Sequence, residues 1–209
     1  MYNFNINYFD LGLWTGNELF WIVNSIFPKL KIQQYMAYGF EAAKDNYETT
    51  RKRFNNSNVE IYHRAIASED GMIKLFHCKK STKGHSIHVE KRNVNPNDFE
   101  LVKGTIFSNW IKGHVENFEQ SFNIVRANIE GAEWDLLVDL EKNDLIKYID
   151  VFCGSKAGLD AKKFRNKDKY KELTSIYTRN SINVIPFARD QKHIKNLIKI
   201  LYKKLQDKT

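Results

Sequence analysis

The sequence contains little cysteine and little proline, and it has no long apolar segment. It has three prolines and two cysteines, and Cys78 and Cys153 do not show the spacing of a metal site. No apolar run approaches the roughly 18 residues of a membrane helix, and the N-terminus lacks the pattern of a signal peptide. These absences argue against a disulfide scaffold, a structural zinc site and a membrane protein. We therefore expect a cytoplasmic protein that binds no metal and no membrane.

The sequence does contain enough apolar material for a folded domain. Hydrophobic residues make up 42% of the chain and charged residues 28%, a balance that argues against general disorder. A length of 209 residues suits one domain better than two. We expect a single domain over residues 1–209, and the sequence does not indicate its oligomeric state.

Strand and helix patterns alternate along most of the chain. Short apolar runs predict strands at residues 6–12, 34–40, 59–67, 73–78, 122–129, 149–153 and 182–188. Apolar residues at helical spacing predict helices at residues 16–27, 131–142 and 191–205, and residues 160–177 are expected to be mainly helical. Residues 45–54 are polar and have the composition of a helix. Residues 79–102 have no clear period and are interpreted as a loop or irregular hairpin, and 105–114 fit either a strand or a helix. This alternation predicts an α/β fold with parallel strands and helices on both faces of the sheet.

Basic residues are concentrated in the last quarter of the chain. Residues 1–155 hold 18 basic and 20 acidic side chains, whereas residues 156–209 hold 15 basic and 5 acidic ones. Such an excess fits a surface for RNA or another polyanion. It equally fits lysines that only solvate helix faces. We favour the second interpretation because Asn, Lys and Ile are all abundant, as AT-rich coding sequences produce.

The first segment with chemical content is Asp10-Leu11-Gly12-Leu13-Trp14-Thr15-Gly16, which places two glycines at a strand-to-helix turn. Glycine lets the backbone approach a ligand closely, and a helix N-terminus offers free N–H groups to an anion. The dinucleotide pattern G-x-G-x-x-G is absent because Trp14 occupies the second glycine position. Alone, the segment fits a tight structural turn as well as a ligand site.

The second segment is the end of the next strand, where Glu41 follows Gly16 by 25 positions. In doubly wound sheets, an acid roughly 20 residues after the glycine turn accepts hydrogen bonds from ribose hydroxyls. An exposed loop glutamate is the alternative. We favour the ribose role because the glycine turn and the acid occur together.

The third segment runs from Arg126 to Glu133 and joins a predicted strand to a predicted helix. Ligands in this architecture bind at the carboxyl ends of the strands, so Asn128 and Glu130 are expected to face a cleft. Glu133 lies about one helical turn further. An acid at the start of a helix also stabilises the helix electrostatically, which is the structural alternative for Glu133.

Taken in order, these segments resemble the FkbM family of S-adenosylmethionine-dependent methyltransferases. The family patterns are D-x-G-A-N-x-G, F-E-P with a following N-Y, A-[IV]-[AS], and K-[IV]-D-[IV]-E-G-[AS]-E. Their counterparts are Asp10–Gly16, Phe40-Glu41-Ala42 with Asn46-Tyr47, Ala65-Ile66-Ala67, and Arg126–Glu133. The resemblance covers about residues 6–142, and E-G-A-E is its most specific part. It implies a Rossmann-like class I methyltransferase fold, with a mostly parallel sheet, helices on both faces and a hairpin or loop insertion at about residues 70–110.

The resemblance also implies a cofactor, a reaction and roles for individual residues. The cofactor would be S-adenosylmethionine, and the reaction would be O-methylation of a sugar, a glycan or another small molecule with a hydroxyl group. The implied cofactor-binding residues are Asp10, Gly12, Thr15 and Gly16 at the methionine end, Glu41 at the ribose and Ala65 at the adenine. The implied catalytic residues are Glu130, Asn128 and Glu133, with Glu130 as base or hydrogen-bond acceptor.

The chain departs from the family pattern at three places. Leu13-Trp14 replace the usual Ala-Asn and would crowd the methionine pocket, Asn128 replaces an acid, and Cys153-Gly154 stand where many relatives have a glutamate. An alternative follows, a catalytically attenuated protein of this fold that binds RNA or another polyanion through its basic C-terminal region. A nicotinamide-dependent oxidoreductase is disfavoured by the missing glycine pattern. We interpret His85 and His88 as solvated rather than catalytic.

Overall fold

The protein consists of two sheets and the helices that cover them. A computed structural model describes residues 4–154, 167–186 and 191–208. The strands are β1 (Ile6–Leu11), β2 (Tyr35–Glu41), β3 (Val59–His63), β4 (Ala65–Ile66), β5 (Gly71–Cys78), β6 (Val94–Thr105), β7 (Phe122–Ala127), β8 (Ile149–Gly154) and β9 (Val184–Pro186). The main sheet has six parallel strands in the order β3-β2-β1-β7-β8-β9, and the small sheet has the order β4-β6-β5. The predicted α/β fold with parallel strands is confirmed.

Helices connect the strands of the main sheet. They are α1 (Asn17–Trp21), α2 (Phe27–Lys29), α3 (Lys44–Arg51), α4 (Phe107–His114), α5 (Glu133–Lys142), α6 (Lys167–Arg179) and α7 (Gln191–Lys208), and a π-helix over Ile22–Ile26 joins α1 to α2. The beginning of the helix predicted at residues 160–177 lies outside the described residues. No described helix is long and apolar enough to cross a membrane.

The main sheet is buried on both faces, which explains why its central strands are mostly apolar. In β1, Ile6 and Tyr8 pack with the apolar residues of α1, α2 and α7, whereas Phe9 and Leu11 pack with those of α4, α5 and α6. Successive side chains of a strand point to opposite faces, so each face receives every second residue. The predicted placement of helices on both faces is therefore confirmed.

The strand order creates a crevice next to β1. The chain proceeds from β1 outward to β2 and β3, and then returns to place β7 on the other side of β1. The direction of winding therefore reverses between β1 and β7. In open α/β sheets this reversal point, at the carboxyl ends of the strands, is where ligands bind.

The small sheet differs from the prediction. Residues 79–102 were expected to be a loop or irregular hairpin, but β6 is a strand of 12 residues that pairs antiparallel with β5. The alternation of apolar and polar residues in β6 is weak because apolar side chains also lie on its outer face. On that face Phe99 is 40% exposed and Leu101 is 57% exposed. The predicted strand 59–67 is also divided, since β3 belongs to the main sheet and β4 to the small one.

The inner face of the small sheet packs against the end of β2. Leu75 and Val102 form a buried cluster with Ala43 and Ala65, with Ile87 packed against it. This contact places the segment between β5 and β6, residues 79–93, beside the carboxyl ends of β1 and β2. We call residues 79–93 the cover segment.

Candidate functional site

A cleft of about 210 Å³ lies at the reversal point of the main sheet. One wall is formed by the turns that follow β1, β2 and β7, and the opposite wall by residues 82–87 of the cover segment. The cleft thus combines segments that are far apart in sequence. Its charged or titratable lining residues are Glu18, Glu41, Arg64, Lys83, His85, Arg126 and Glu130.

The turn after β1 depends on its first glycine. Gly12 has a φ of +88°, and a Cβ atom at this position would lie 2.3 Å from the carbonyl oxygen of Asn128. A side chain would therefore clash with the turn after β7. Gly16 has a different partner, since its added Cβ would contact the side chain of Thr50 on α3. Gly12 lines the cleft, whereas Gly16 is not among its lining residues.

The two residues that replace the family's Ala-Asn point in different directions. Leu13 is buried and packs against Gly39 of β2, and it also lines the cleft. Trp14 has a φ of +50°, a left-handed conformation that few residues other than glycine adopt. Its indole Nε1 donates to Thr82 Oγ1 at 3.3 Å, so its ring reaches the cover segment.

Glu41 lines the cleft at the end of β2, where its carboxylate holds two turns together. Its Oε2 accepts a hydrogen bond from the backbone N–H of Trp14 at 2.7 Å, and its Oε1 accepts one from the N–H of Ala43 at 2.9 Å. The Asn46 amide contacts Oε1 at 3.5 Å. Burial raises the pKa of Glu41, and these hydrogen bonds oppose the rise.

Asp10 is fully buried below the cleft and does not line it. Its Oδ1 accepts a hydrogen bond from Nη1 of Arg126 at 2.6 Å, and the same nitrogen donates to the carbonyl oxygen of Gly12 at 2.8 Å. Burial raises the pKa of Asp10, and the Arg126 guanidinium opposes the rise. The pair therefore joins β1 to β7 and presents Arg126 at the floor of the cleft.

The turn after β7 brings Asn128 and Glu130 into the cleft. Glu130 has a φ of +56°, and its Oε2 lies 2.5 Å from Nζ of Lys91. The Lys91 side chain is 0% exposed, and its ammonium also donates to the carbonyl oxygen of Gly84 at 2.6 Å. The carboxylate of Glu130 is 25% exposed, so a buried cation of the cover segment fixes an acid that still reaches the cleft.

Glu133 is placed differently from the prediction. It is 2% exposed and does not line the cleft. Its two oxygens accept hydrogen bonds from the backbone N–H groups of Ile129 and Gly131, at 2.9 and 2.7 Å. Burial raises the pKa of Glu133, and these bonds oppose the rise. The side chain caps the turn before α5, which is the structural alternative named for it above.

His88 is not a solvated side chain, which corrects our interpretation, and His85 is only partly exposed. His88 is largely buried and its Nε2 lies 2.7 Å from Oδ2 of Asp135. The Nδ1 of His85 accepts the backbone N–H of Cys78 at 2.9 Å, so a neutral His85 carries its proton on Nε2. Burial, and then the nearby His77, lower the pKa of His85. His85 thus lines the cleft with its Nδ1 already engaged by the Cys78 N–H.

The structure brings together Gly12, Glu41, Ala65, Asn128 and Glu130 in one cleft. Asp10, Thr15, Gly16 and Glu133 lie outside its lining. Sequence reasoning missed Lys83 and Lys91, which occur in a segment without a clear period, and Arg64, which lies inside the predicted strand 59–67. A lysine within the Ile87–Val94 stretch carries no signal of burial in the sequence.

The cleft offers hydrogen-bonding groups for a polar ligand and a fixed carboxylate near it. The Asn128 amide has no hydrogen-bond partner among the described residues, and Glu130 is anchored by Lys91 on one oxygen. Among the described residues no group of three His, Cys, Asp or Glu side chains is arranged to hold a metal ion.

No model of a protein family matches this chain, and no curated protein and no solved structure is significantly similar to it.

Proposed function

We propose that the protein is an S-adenosylmethionine-dependent methyltransferase that acts on a hydroxyl group of a small molecule, with a sugar or glycan as the leading candidate. The observation that carries the proposal is the convergence of Gly12, Glu41 and Glu130 in one cleft, at the reversal point of a parallel sheet. These residues come from three segments that match the FkbM pattern in order and content. If the similarity in sequence had arisen by chance, there would be no reason for the three segments to meet in space.

The residues present fit a nucleoside. A carboxylate has about four lone-pair positions, and the three contacts of Glu41 leave one for a ribose hydroxyl. Ala65, which has a small side chain, lines the cleft on the proposed adenine side, and the buried Leu13 side chain also forms part of its wall. Trp14 departs from the family pattern and narrows the cleft by its contact with Thr82.

When bound, S-adenosylmethionine would supply a methyl group on a positively charged sulfur and would leave as a neutral thioether. As the acceptor oxygen gains the methyl group, its proton has to leave. Glu130 would accept that proton, and Lys91 would keep the carboxylate in position. Asn128 and His85 would orient the acceptor by hydrogen bonds, because neither the amide nor the Nε2–H tautomer is a base.

Calorimetric titration with S-adenosylmethionine, S-adenosylhomocysteine, NAD and RNA tests the proposal. We expect the first two to bind and NAD not to bind. Ala42→Phe, which adds volume to a cleft-lining position, should abolish this binding with little change in the thermal midpoint. Gly12→Val is a poor test, because it also forces a clash with Asn128.

Turnover on an identified acceptor separates an enzyme from an attenuated relative. Glu130→Gln should lower kcat by about 100-fold, the range of positioned acid–base groups, with cofactor affinity nearly unchanged. Asn128→Asp restores the acid of the family pattern, and a gain of activity would show that the natural residue attenuates the reaction. Full activity of Glu130→Gln would contradict the assignment of the base.

A second candidate function rests on α7. Lys195, Lys199 and Lys203 are exposed and recur every four residues, so they share one face, while Leu197 and Leu201 are buried on another. A line of cations on one helix face fits the phosphates of RNA or another polyanion. Binding of RNA without binding of the methyl donor would support this second candidate function.

A further inference from the structure

The indole ring of Trp14 is held in a fixed position at the cleft. Its backbone N–H donates to Glu41 Oε2 at 2.7 Å, and its Nε1 donates to Thr82 Oγ1 at 3.3 Å. The hydroxyl of Thr50 donates to its carbonyl oxygen at 2.7 Å. These hydrogen bonds constrain the backbone of Trp14 and the Nε1 edge of its ring. The fold therefore determines the orientation of the indole.

A cation already lies on that ring. The ammonium of Lys83 is 3.5 Å from the centroid of the indole, and both side chains line the cleft. An indole face attracts cations through its quadrupole, and tryptophan does so more strongly than tyrosine or phenylalanine. Proteins use this attraction to recognise quaternary ammonium groups. A sulfonium is likewise a cation that has no N–H to donate.

We infer that the Trp14 ring is a cation-binding face of the ligand site, which Lys83 occupies in this structure and which the sulfonium of the methyl donor takes over on binding. The inference rests on the proposed function. Lys83 lies on a segment between Thr82 and Gly84 and its ammonium has no other contact in the described part of the chain, so it can leave the ring without breaking a second interaction. Binding then carries the cost of displacing Lys83.

The inference predicts that Trp14 distinguishes the charged methyl donor from its neutral product. S-Adenosylhomocysteine is a thioether and gains little from the ring. Trp14→Leu should weaken S-adenosylmethionine binding by about 5-fold and leave S-adenosylhomocysteine within about 2-fold, a difference that corresponds to about 1 kcal/mol. Trp14→Phe, which keeps an aromatic face, should recover part of the difference.

Lys83→Met keeps the length of the side chain and removes its charge. It should strengthen S-adenosylmethionine binding by about 5-fold, because the ring is then free to bind the sulfonium. Lys80→Met is the matched control, since it removes an exposed charge from the same segment at a position that does not line the cleft. All variants are compared by calorimetry, with near-ultraviolet circular dichroism as the check of folding.

The double variant Trp14→Leu/Lys83→Met separates a contact on the ring from a charge effect through space. If Lys83 acts by occupying the ring, its removal should no longer strengthen binding in the Trp14→Leu background. The same gain in both backgrounds would overturn the inference, as would equal losses for donor and product in Trp14→Leu. If neither compound binds the parent protein, the proposed function itself fails, and the inference fails with it.

Discussion

Glu41, His85 and Glu133 have in common that each accepts hydrogen bonds from backbone N–H groups of a nearby turn. An N–H group that loses its acceptor inside the protein costs about 1–3 kcal/mol. Replacing one of these side chains therefore changes the stability of a turn as well as the chemistry of the cleft. Binding measurements on such variants need a stability measurement beside them.

Glu41→Ala removes the acceptor of two N–H groups, those of Trp14 and Ala43. We expect the free energy of unfolding to fall by about 2–4 kcal/mol, measured by urea denaturation. If the variant remains folded, its affinity for the methyl donor should fall by roughly 10–100-fold, as expected for a charged hydrogen bond to ribose. An unchanged stability would show that the two N–H groups find other acceptors.

His85 predicts a pH dependence of stability. Its folded pKa lies below the ordinary value of 6.5, because burial disfavours the charged ring. The stability that it contributes is complete above pH 6.5 and is lost as the pH falls through 6.5 toward the lowered pKa. His85→Asn keeps an acceptor for the Cys78 N–H and does not titrate. The urea midpoint of this variant should therefore fall less than that of the parent between pH 7.5 and 5.5, and parallel curves would contradict the assignment.

The sequence predicted the cleft residues that follow a recognisable strand end, namely Gly12, Glu41, Asn128 and Glu130. It did not predict their partners. The buried ammonium of Lys91 and the contact of Lys83 with Trp14 come from tertiary packing of a polar segment, and nothing in local periodicity reports it. Glu133 lies outside the lining of the cleft, and the sequence did not indicate this because an acid at a helix start has the same sequence signal whether it caps a turn or faces a ligand.

At the scale of elements, the cover segment is joined to three different parts of the main sheet. Thr82 contacts the turn after β1, and its carbonyl oxygen accepts a hydrogen bond from Asn46 of α3. Ser86 Oγ donates to the carbonyl oxygen of Glu130, and Lys91 pairs with the Glu130 carboxylate. These contacts close one side of the cleft without a regular secondary structure.

Lys91→Met tests how much the buried ion pair contributes to this closure. Glu130 can still be hydrated in this variant because its side chain is partly exposed. We therefore expect the loss of stability to be confined to the cover segment. Amide hydrogen exchange in residues 79–93 should become at least about 10-fold faster, while exchange in β1 and β7 stays unchanged. Lys80→Met on the same segment is the control and should behave as the parent does. Equal protection in Lys91→Met and the parent would show that the other contacts suffice.

The prediction of secondary structure succeeded for strands that are buried on both faces and for helices that have one apolar face. The strands of the main sheet and α5 and α7 have such patterns, and their bounds agree with the prediction to within a few residues. The strand β6 escaped prediction because its outer face carries Phe99 and Leu101 toward solvent, and it contains Pro96, which usually argues against a strand. β6 forms a strand because it pairs with β5, and the pattern of its own sequence does not indicate this.

At the scale of the whole molecule, the charge excess of the C-terminal quarter is partly used within the fold. Lys208 pairs with Asp150 at 3.0 Å and donates to the carbonyl oxygen of Ser121, and Lys204 donates to the carbonyl oxygen of Asp150. These lysines fasten α7 to the amino end of the main sheet. Lys195, Lys199 and Lys203 remain exposed and form the surface on which the second candidate function depends.

Replacing Lys195, Lys199 and Lys203 together by Gln tests this surface. If the protein binds single-stranded RNA there, the slope of log K against log salt should decrease in magnitude by about 2, because each phosphate contact contributes roughly 0.7. The matched control replaces the exposed Lys29, Lys31 and Lys52, which removes the same charge outside α7. Equal changes in the two triple variants, measured by fluorescence anisotropy, would mean that only net charge matters.

The position of β1 between β2 and β7 also has a consequence for synthesis on the ribosome. Asn7 Nδ2 donates to Asn123 Oδ1 at 3.0 Å, across 116 positions of the chain. On the ribosome, β1 therefore pairs on one edge with β2 early, and its other edge stays open until β7 has emerged. At roughly 5–20 residues per second, that interval is about 6–23 s. The open edge of a mostly apolar strand can pair with other chains, so nascent copies are most exposed to aggregation during this interval.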